Sequence, residues 1–436
     1  MQRIGLGVIA VAFLLASCGP PSPVAETSNG ENAASGPAAV ESPATIADDT
    51  SSEGSPSSTA TTGTATDSSQ NRLTREEIAE GWIQLFDGES LFGWKANNEV
   101  NWSVQNGVIQ ASEGEPGLLV TTTRFSHYEL RCDFRLEAGG NSGIFLQTSF
   151  DPEDPARDCY ELNICDSHPA FPTGSIVGRK KVEKSVNGEG EWKTFHVTVK
   201  GPSIEVRLED EPILSFTDEG ENPLKEGFIG LQKNEGKVEF RNVFLRPLGL
   251  EPIFNGKDLT GWREVPGGKS TFEVVDGAIR VTNGRGYLET EKTWADFVLQ
   301  AEILSNGKHL NSGIFFRALP GTEKNPAEGY ESQIRNEWKG NDRNQPVDFG
   351  TGGIYRRVPT RRVVSNDFEW FTKTLIAQGP HIAVWIDGFP VTDWTDTREP
   401  HENPRNGVRV EAGHLSIQGH DPTTDLSFRN LRIRGE

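Results

Sequence analysis

Cysteine is scarce in this 436-residue sequence, helical periodicity is nearly absent, and basic residues are outnumbered by acidic ones. Of the four cysteines, one stands at position 18 and the others, Cys132, Cys159 and Cys165, all fall in the first half of the body. An odd number confined to one half excludes a disulfide framework as the organiser of the whole fold. A Cys159–Cys165 link requires the backbone to turn back between them. If those residues form one extended strand, three buried free thiols are expected instead. The close cysteine pairs of a structural zinc site are also missing. With 43 Lys and Arg against 63 Asp and Glu, the net charge of −20 excludes a broad nucleic-acid-binding surface and favours neutral or cationic partners. The apolar run Ile4–Ala16 is too short to span a bilayer.

That run follows Arg3 and ends in Leu15-Ala16-Ser17-Cys18, which resembles a bacterial lipobox. The expectation is a signal peptide over residues 1–18, lipidation of Cys18, and an exported protein held at the cell envelope through its lipid anchor only. An ordinary signal peptide with a coincidental cysteine is the alternative. Residues 19–72 are rich in Ser, Thr, Ala, Pro and Gly with scarcely an aromatic. Such a segment buries too little apolar area to offset its ordering entropy, so it reads as a disordered tether. At Leu73-Thr74-Arg75-Glu76-Glu77 the pattern predicts a capped helical turn, with Thr74 as cap and Glu77 three residues on.

Globular sequence then begins twice. Leu85-Phe86-Asp87-Gly88 and Trp94 match Ile253-Phe254-Asn255-Gly256 and Trp262. Asn141-Ser-Gly-Ile-Phe145 matches Asn311-Ser-Gly-Ile-Phe315, and twenty residues after each Asn stands a glutamate, Glu161 or Glu331, preceded by tyrosine. The closing Phe240-Arg241-Asn242 matches Phe428-Arg429-Asn430. Asn106-Gly107, Asp276-Gly277 and Asp387-Gly388 sit between alternating apolar segments and signal tight hairpins. The reading is all-β: two tandem concanavalin- or jelly-roll-like β-sandwich domains, residues 73–248 and 249–436, after the tether.

Phe86-Asp-Gly with Leu91-x-Gly-Trp94, the Asn-Ser-Gly-Ile segment, the Tyr-Glu strand and the closing Phe-Arg-Asn resemble the DUF1080 family, also called the 3-keto-disaccharide hydrolase domain. The resemblance covers both halves. It implies a sugar site on a concave sheet and action on glycosides whose ring carries a ketone at C3. The family's central strand looks like Glu-x-Gln-x-x-Asp with a following His-Pro. The first copy reads Glu161-x-Asn163-x-x-Asp166 with His168-Pro169; the second reads Glu331-x-Gln333-x-x-Asn336, without the His. The family's Arg and Tyr survive only in the second copy, as Arg317 and Tyr355.

Residues i and i+2 of a strand share a face, so Glu161 lies beside Asn163 and Glu331 beside Gln333. A carboxylate and an amide on one face can fix sugar hydroxyls and move a proton; the bland alternative is a solvated polar face. A C3 ketone acidifies the proton at C2, so one base, one enolate stabiliser and one acid suffice for elimination and rehydration. Glu161 or Glu331 is the candidate base and His168 the candidate acid. Asn141, Asn163, Asp166, Asn311, Arg317, Gln333, Tyr355 and Arg356 are the candidate substrate-binding residues. No cofactor is required by this chemistry; Asp166 and His168 are the candidate ligands for a divalent metal. The rivals are a non-catalytic carbohydrate-binding or cell-surface scaffold, and an ordinary glycosidase with two carboxylates, for which the second copy supplies no obvious second acid.

Overall fold

Alternation of apolar and polar residues decides the architecture. In Lys193–Lys200 it buries Phe195, Val197 and Val199 and leaves His196 and Thr198 between them only half-buried. The same period-two pattern recurs along both halves. The computed structural model describes residues 70–184 and 188–435. The signal segment 1–18 with Cys18, and the tether as far as residue 69, lie outside the described residues.

Among the described residues the first half forms an eight-stranded and a five-stranded antiparallel sheet. The larger runs Glu211–Thr217, Ser203–Leu208, Lys193–Lys200, His127–Leu136, Val238–Pro247, Val108–Ala111, Ser103–Gln105, with Ile83–Gln84 also paired to Val238–Pro247. The smaller runs Trp94–Ala96, Gly117–Thr121, Phe228–Lys233, Ser142–Thr148, Tyr160–Ile164. The second half repeats both orders. Its five-stranded sheet runs Trp262–Glu264, Gly286–Trp294, Gly413–Gly419, Ser312–Ala318, Tyr330–Ile334. Each pair of sheets closes on an apolar core, with Leu130, Phe195 and Leu231 in the first and Leu299, Phe316 and Leu375 in the second. Full burial of such a side chain stabilises by about 1.5–3 kcal/mol. The all-β sandwich reading holds.

Asn141 and Asn311 stand immediately before strands Ser142–Thr148 and Ser312–Ala318, and Gly143 and Gly313 are strand residues. The turn lies just upstream, around Gly139. Cys132, Cys159 and Cys165 are buried and form no disulfide among the described residues. Cys159 and Cys165 flank the extended strand Tyr160–Ile164, which holds them apart. The helix Arg75–Glu80 carries the expected capping box between Thr74 and Glu77.

The edge of each five-stranded sheet is covered by its own chain. Gln333 N–H donates to Gly353 O at 2.8 Å and Tyr355 N–H to Glu331 O at 2.9 Å, so Tyr355 comes to lie beside the Glu331 strand.

Candidate functional site

The register across the sheet fixes which side chains meet. Phe315 pairs with Glu331 and Gly313 with Gln333, so these four share the outer face; Ile314, Phe316, Tyr330 and Ile334 point into the core. Tyr330 is anchored there, its hydroxyl donating to Asp396 Oδ2 at 2.7 Å. On the adjoining strands Tyr287 and Gln418 pair with each other and reach the same outer face.

This face floors a cavity of about 470 Å³ lined by Glu331, Gln333, Asn311, Tyr355, Arg405 and His420, among others. Glu331 is buried, and burial pushes its carboxyl up to about 7. Arg405, whose Nη2 lies 3.2 Å from Glu331 Oε2, and His420 oppose that rise, while Asp348 adds to it. The Arg405 guanidinium also lies 5.1 Å from the centre of the Phe315 ring. Gln333 Nε2 donates to Asn311 Oδ1 at 3.3 Å and to Asp348 O at 3.1 Å, and Asn311 Nδ2 donates to Asp348 Oδ2 at 2.9 Å. Gln333 Oε1 is buried with no partner in the protein, and a ligand hydroxyl would satisfy it. Four residues expected from the sequence, Glu331, Gln333, Asn311 and Tyr355, are therefore brought together.

Arg405, His420 and Glu328 were not anticipated. Arg405 and His420 arrive on loops distant in sequence and Glu328 from the loop just before the Tyr330–Ile334 strand, where no strand alternation marks a residue's direction. Glu328 also lines the cavity and accepts from Asn403 Nδ2 at 2.8 Å, which corrects the expectation that the second copy offers no second carboxylate.

Arg317 is not a binding residue. It is fully buried, with positive φ at a break in strand register, and it donates to Ala295 O at 2.7 Å, Gly379 O at 2.6 Å, Arg409 O at 3.0 Å and Asp296 Oδ1 at 2.8 Å. Gln147 does the same work in the first copy: positive φ, buried, its amide donating to Ser126 O and Gly201 O. A bulge turns the side chain off the face that simple alternation assigns. Arg356 is exposed, with positive φ, and lies over the Tyr355 ring at 5.3 Å outside the cavity lining.

The first copy keeps the carboxylate but fills its surroundings. Glu161 is buried, and burial pushes its carboxyl up to about 7 against a hydrogen bond from Gln232. Where the second copy has Tyr287 and Glu289, the first has Leu118 and Val120, which pack with Phe145, Cys159, Phe150 and Phe228. Asn163 is spent on the Phe171 carbonyl. Asn141 is held by paired backbone bonds to Glu235.

Asp166 and His168 do not join Glu161. Asp166 accepts from Thr173 Oγ1 at 2.6 Å and from the Gly188 and Glu189 N–H groups at 2.6 and 3.2 Å. His168 Nδ1 accepts from the Ala170 and Phe171 N–H groups at 3.2 and 2.9 Å. Both organise the loop: the two Asp166 oxygens and His168 Nδ1 are engaged within it. No group of three or more metal-ligating side chains gathers among the described residues.

Comparison with known proteins finds one family model matching twice, over residues 81–246 and 249–434, described as a 3-keto-alpha-glucoside-1,2-lyase-like domain. The chain is similar to a 3-keto-disaccharide hydrolase of Bacteroides thetaiotaomicron, 25% identical over 232 residues, which span 39% of this chain and 79% of that protein. It is also similar to a crystal structure of a Parabacteroides distasonis protein named only as a candidate glycosyl hydrolase. That match is 26% identical, covers 41% of this chain and all of that one, and has a TM-score of 0.37. A carbohydrate-binding module of Bacillus subtilis matches at 16% identity over 35% of this chain and 95% of its own, TM-score 0.29.

Proposed function

The chain belongs, in both halves, to the 3-keto-alpha-glucoside-1,2-lyase-like domain family, and on that premise we propose that its second sandwich cleaves glycosides carrying a ketone at C3. The observation that carries the reading is Glu331: a buried carboxyl, raised to about 7, on the floor of an open cavity with Arg405 against it. A base of that strength is matched to proton transfer near neutral pH.

Glu331 takes the proton from C2, and the C–H electron pair enters the C2–C3 bond as the enolate of the ketone. Arg405 is the nearest cation to stabilise the enolate oxygen. When C3=O re-forms, the pair moves into C1=C2 and the C1–O bond breaks, the departing oxygen taking a proton from His420 or Glu328 at the cavity wall. Water then adds across C1=C2, hydroxyl to C1 and proton to C2, completing a net hydrolysis. The first sandwich, its outer face packed with Leu118, Val120 and Phe145, is a non-catalytic support.

Incubating the full chain with a 3-keto-disaccharide and with its unoxidised parent tests this. Cleavage of the keto form alone is expected, rising with pH through about 7 as Glu331 loses its proton. Glu331→Gln should lower kcat by roughly 10²–10⁴, and Glu161→Gln should leave it unchanged. Equal losses in the two variants sink the assignment. The presence of Glu328 favours one second reading, a two-carboxylate glycosidase; cleavage of both sugars would select it.

The same proposal includes export and anchoring through Cys18. Cys18→Ser should move the protein from the membrane fraction to the soluble one, and unchanged membrane association overturns the anchor.

A further inference from the structure

Directly behind Glu331, inside the second core, lies a lysine. Lys373 belongs to the strand Trp370–Gln378 of the eight-stranded sheet and is fully buried. Its side chain crosses the sandwich interior to the Glu331 strand, where Nζ lies 3.0 Å from Ser332 O, 2.9 Å from Ser332 Oγ and 3.0 Å from Gln333 O. Three oxygen acceptors match the three N–H groups of an ammonium. Burying a charge among apolar side chains is strongly unfavourable unless a partner compensates it.

The first copy holds an apolar pair at the same two places. Register aligns Lys373, opposite Ala301, with Phe195, opposite Cys132; it aligns Ser332, opposite Ile314, with Leu162, opposite Ile144. Phe195 stacks on Phe134 at 4.6 Å, as an ordinary core residue would. The lysine and its serine therefore occur beneath the glutamate that faces an open cavity, and not beneath the one whose face is packed.

We propose that Lys373 is a positioning residue for Glu331: beneath the strand, its ammonium fixes the Ser332–Gln333 backbone and biases the adjacent carboxyl toward its ionised form. The inference rests on Glu331 being the base. Burial lowers the Lys373 ammonium to about 7, and Glu331 opposes that fall. The same attraction acts on both partners, so it also opposes the rise of the Glu331 carboxyl. The other charged groups acting on Glu331 are Arg405, from the loop after Phe389–Thr395, His420, from the turn after Gly413–Gly419, and Asp348, from the loop after its own strand.

The test transplants the first copy's pair into the second, as Lys373→Phe with Ser332→Leu, and compares it with the single variant Lys373→Met. Two readouts are taken on the full chain: the carboxyl ¹³C titration of Glu331, assigned by its loss in Glu331→Gln, and the pH profile of kcat/KM on a 3-keto-disaccharide. The Glu331 midpoint should rise by about one unit, and the acid limb should move with it, so kcat/KM at pH 6 falls about tenfold and recovers in alkali. An unmoved midpoint in either folded variant overturns the proposal. If the double variant does not fold, Lys373→Met carries both readouts. If the midpoint shifts but wild type cleaves no keto-glycoside, the lysine's role stands and the proposed activity falls.

Discussion

Gly313 is the residue that gives Glu331 its room. A Cβ at position 313 would stand 2.8 Å from Glu331 Cγ and 2.9 Å from Oε1, closer than real Cβ contacts allow. The opposed Gly143 is looser, its added Cβ meeting Glu161 Cγ at 3.2 Å. Neither glycine has positive φ, so close approach, not backbone freedom, is what the residue supplies. Gly313→Ala should displace the carboxylate and lower kcat by about tenfold or more, because small displacements of a reacting group are costly. Gly143→Ala should leave kcat unchanged. Both should retain the far-ultraviolet circular dichroism of wild type. Full activity in Gly313→Ala would show that the pose of Glu331 tolerates the shift, contrary to this account.

At the scale of elements, legibility follows periodicity. Asn106-Gly107 and Asp276-Gly277 were readable as hairpin turns because those residues tolerate positive φ, and all four adopt it. The face of the Tyr-Glu strand was readable too, since Tyr330 packs inward on Phe316 at 5.2 Å while Glu331 faces out. Alternation fails at a bulge, and Arg317, which the family resemblance offers as a binding residue, turns off that face there. It also says nothing about loops: Arg405 meets Glu331 from 74 residues away, along a stretch without period. Lys373 was invisible for a different reason. A lysine between two threonines on an alternating strand reads as surface, and only the opposite sheet, with its Ser332 hydroxyl and carbonyls, supplies the acceptors that let it sit inside. The difference between the copies was visible as missing motif letters. Its physical content, an open polar face against a packed apolar one, lies in Tyr287 and Glu289 against Leu118 and Val120, which no motif singled out.

At the scale of the molecule, the two sandwiches are joined by buried contacts rather than by the short chain between them. Trp385 of the second half packs into the first core and donates from Nε1 to Gln84 O at 2.8 Å. Arg361 and Arg362 reach the first half, where Arg361 Nη2 meets Asp87 Oδ2 at 2.6 Å and Arg362 meets Glu89 at 2.8 Å. The Asp87 side chain is wholly buried, and the Arg361 guanidinium lies 4.2 Å from the Phe92 ring centre and 4.6 Å from that of Phe389. Burial pushes the Asp87 carboxyl up, but hydrogen bonds from Ser90, the Glu89 N–H and Arg361 more than reverse it, leaving it below the usual range. An exposed ion pair contributes about 0–1 kcal/mol, whereas breaking a buried one costs about 3–5 kcal/mol. With Arg361 partly exposed, Arg361→Met should destabilise by about 2–3 kcal/mol at pH 7, read from urea unfolding. A lowered folded-state value means that this stability is present above the unfolded carboxyl value, near 3.9, and is lost as pH falls through the folded one. The gap between wild type and variant should therefore close as pH falls from the unfolded carboxyl value through the lower folded one, apart from about 1 kcal/mol for the lost aromatic contacts. A difference under about 0.5 kcal/mol at pH 7 would place this pair among ordinary surface contacts, leaving Trp385 and its neighbours to hold the halves together.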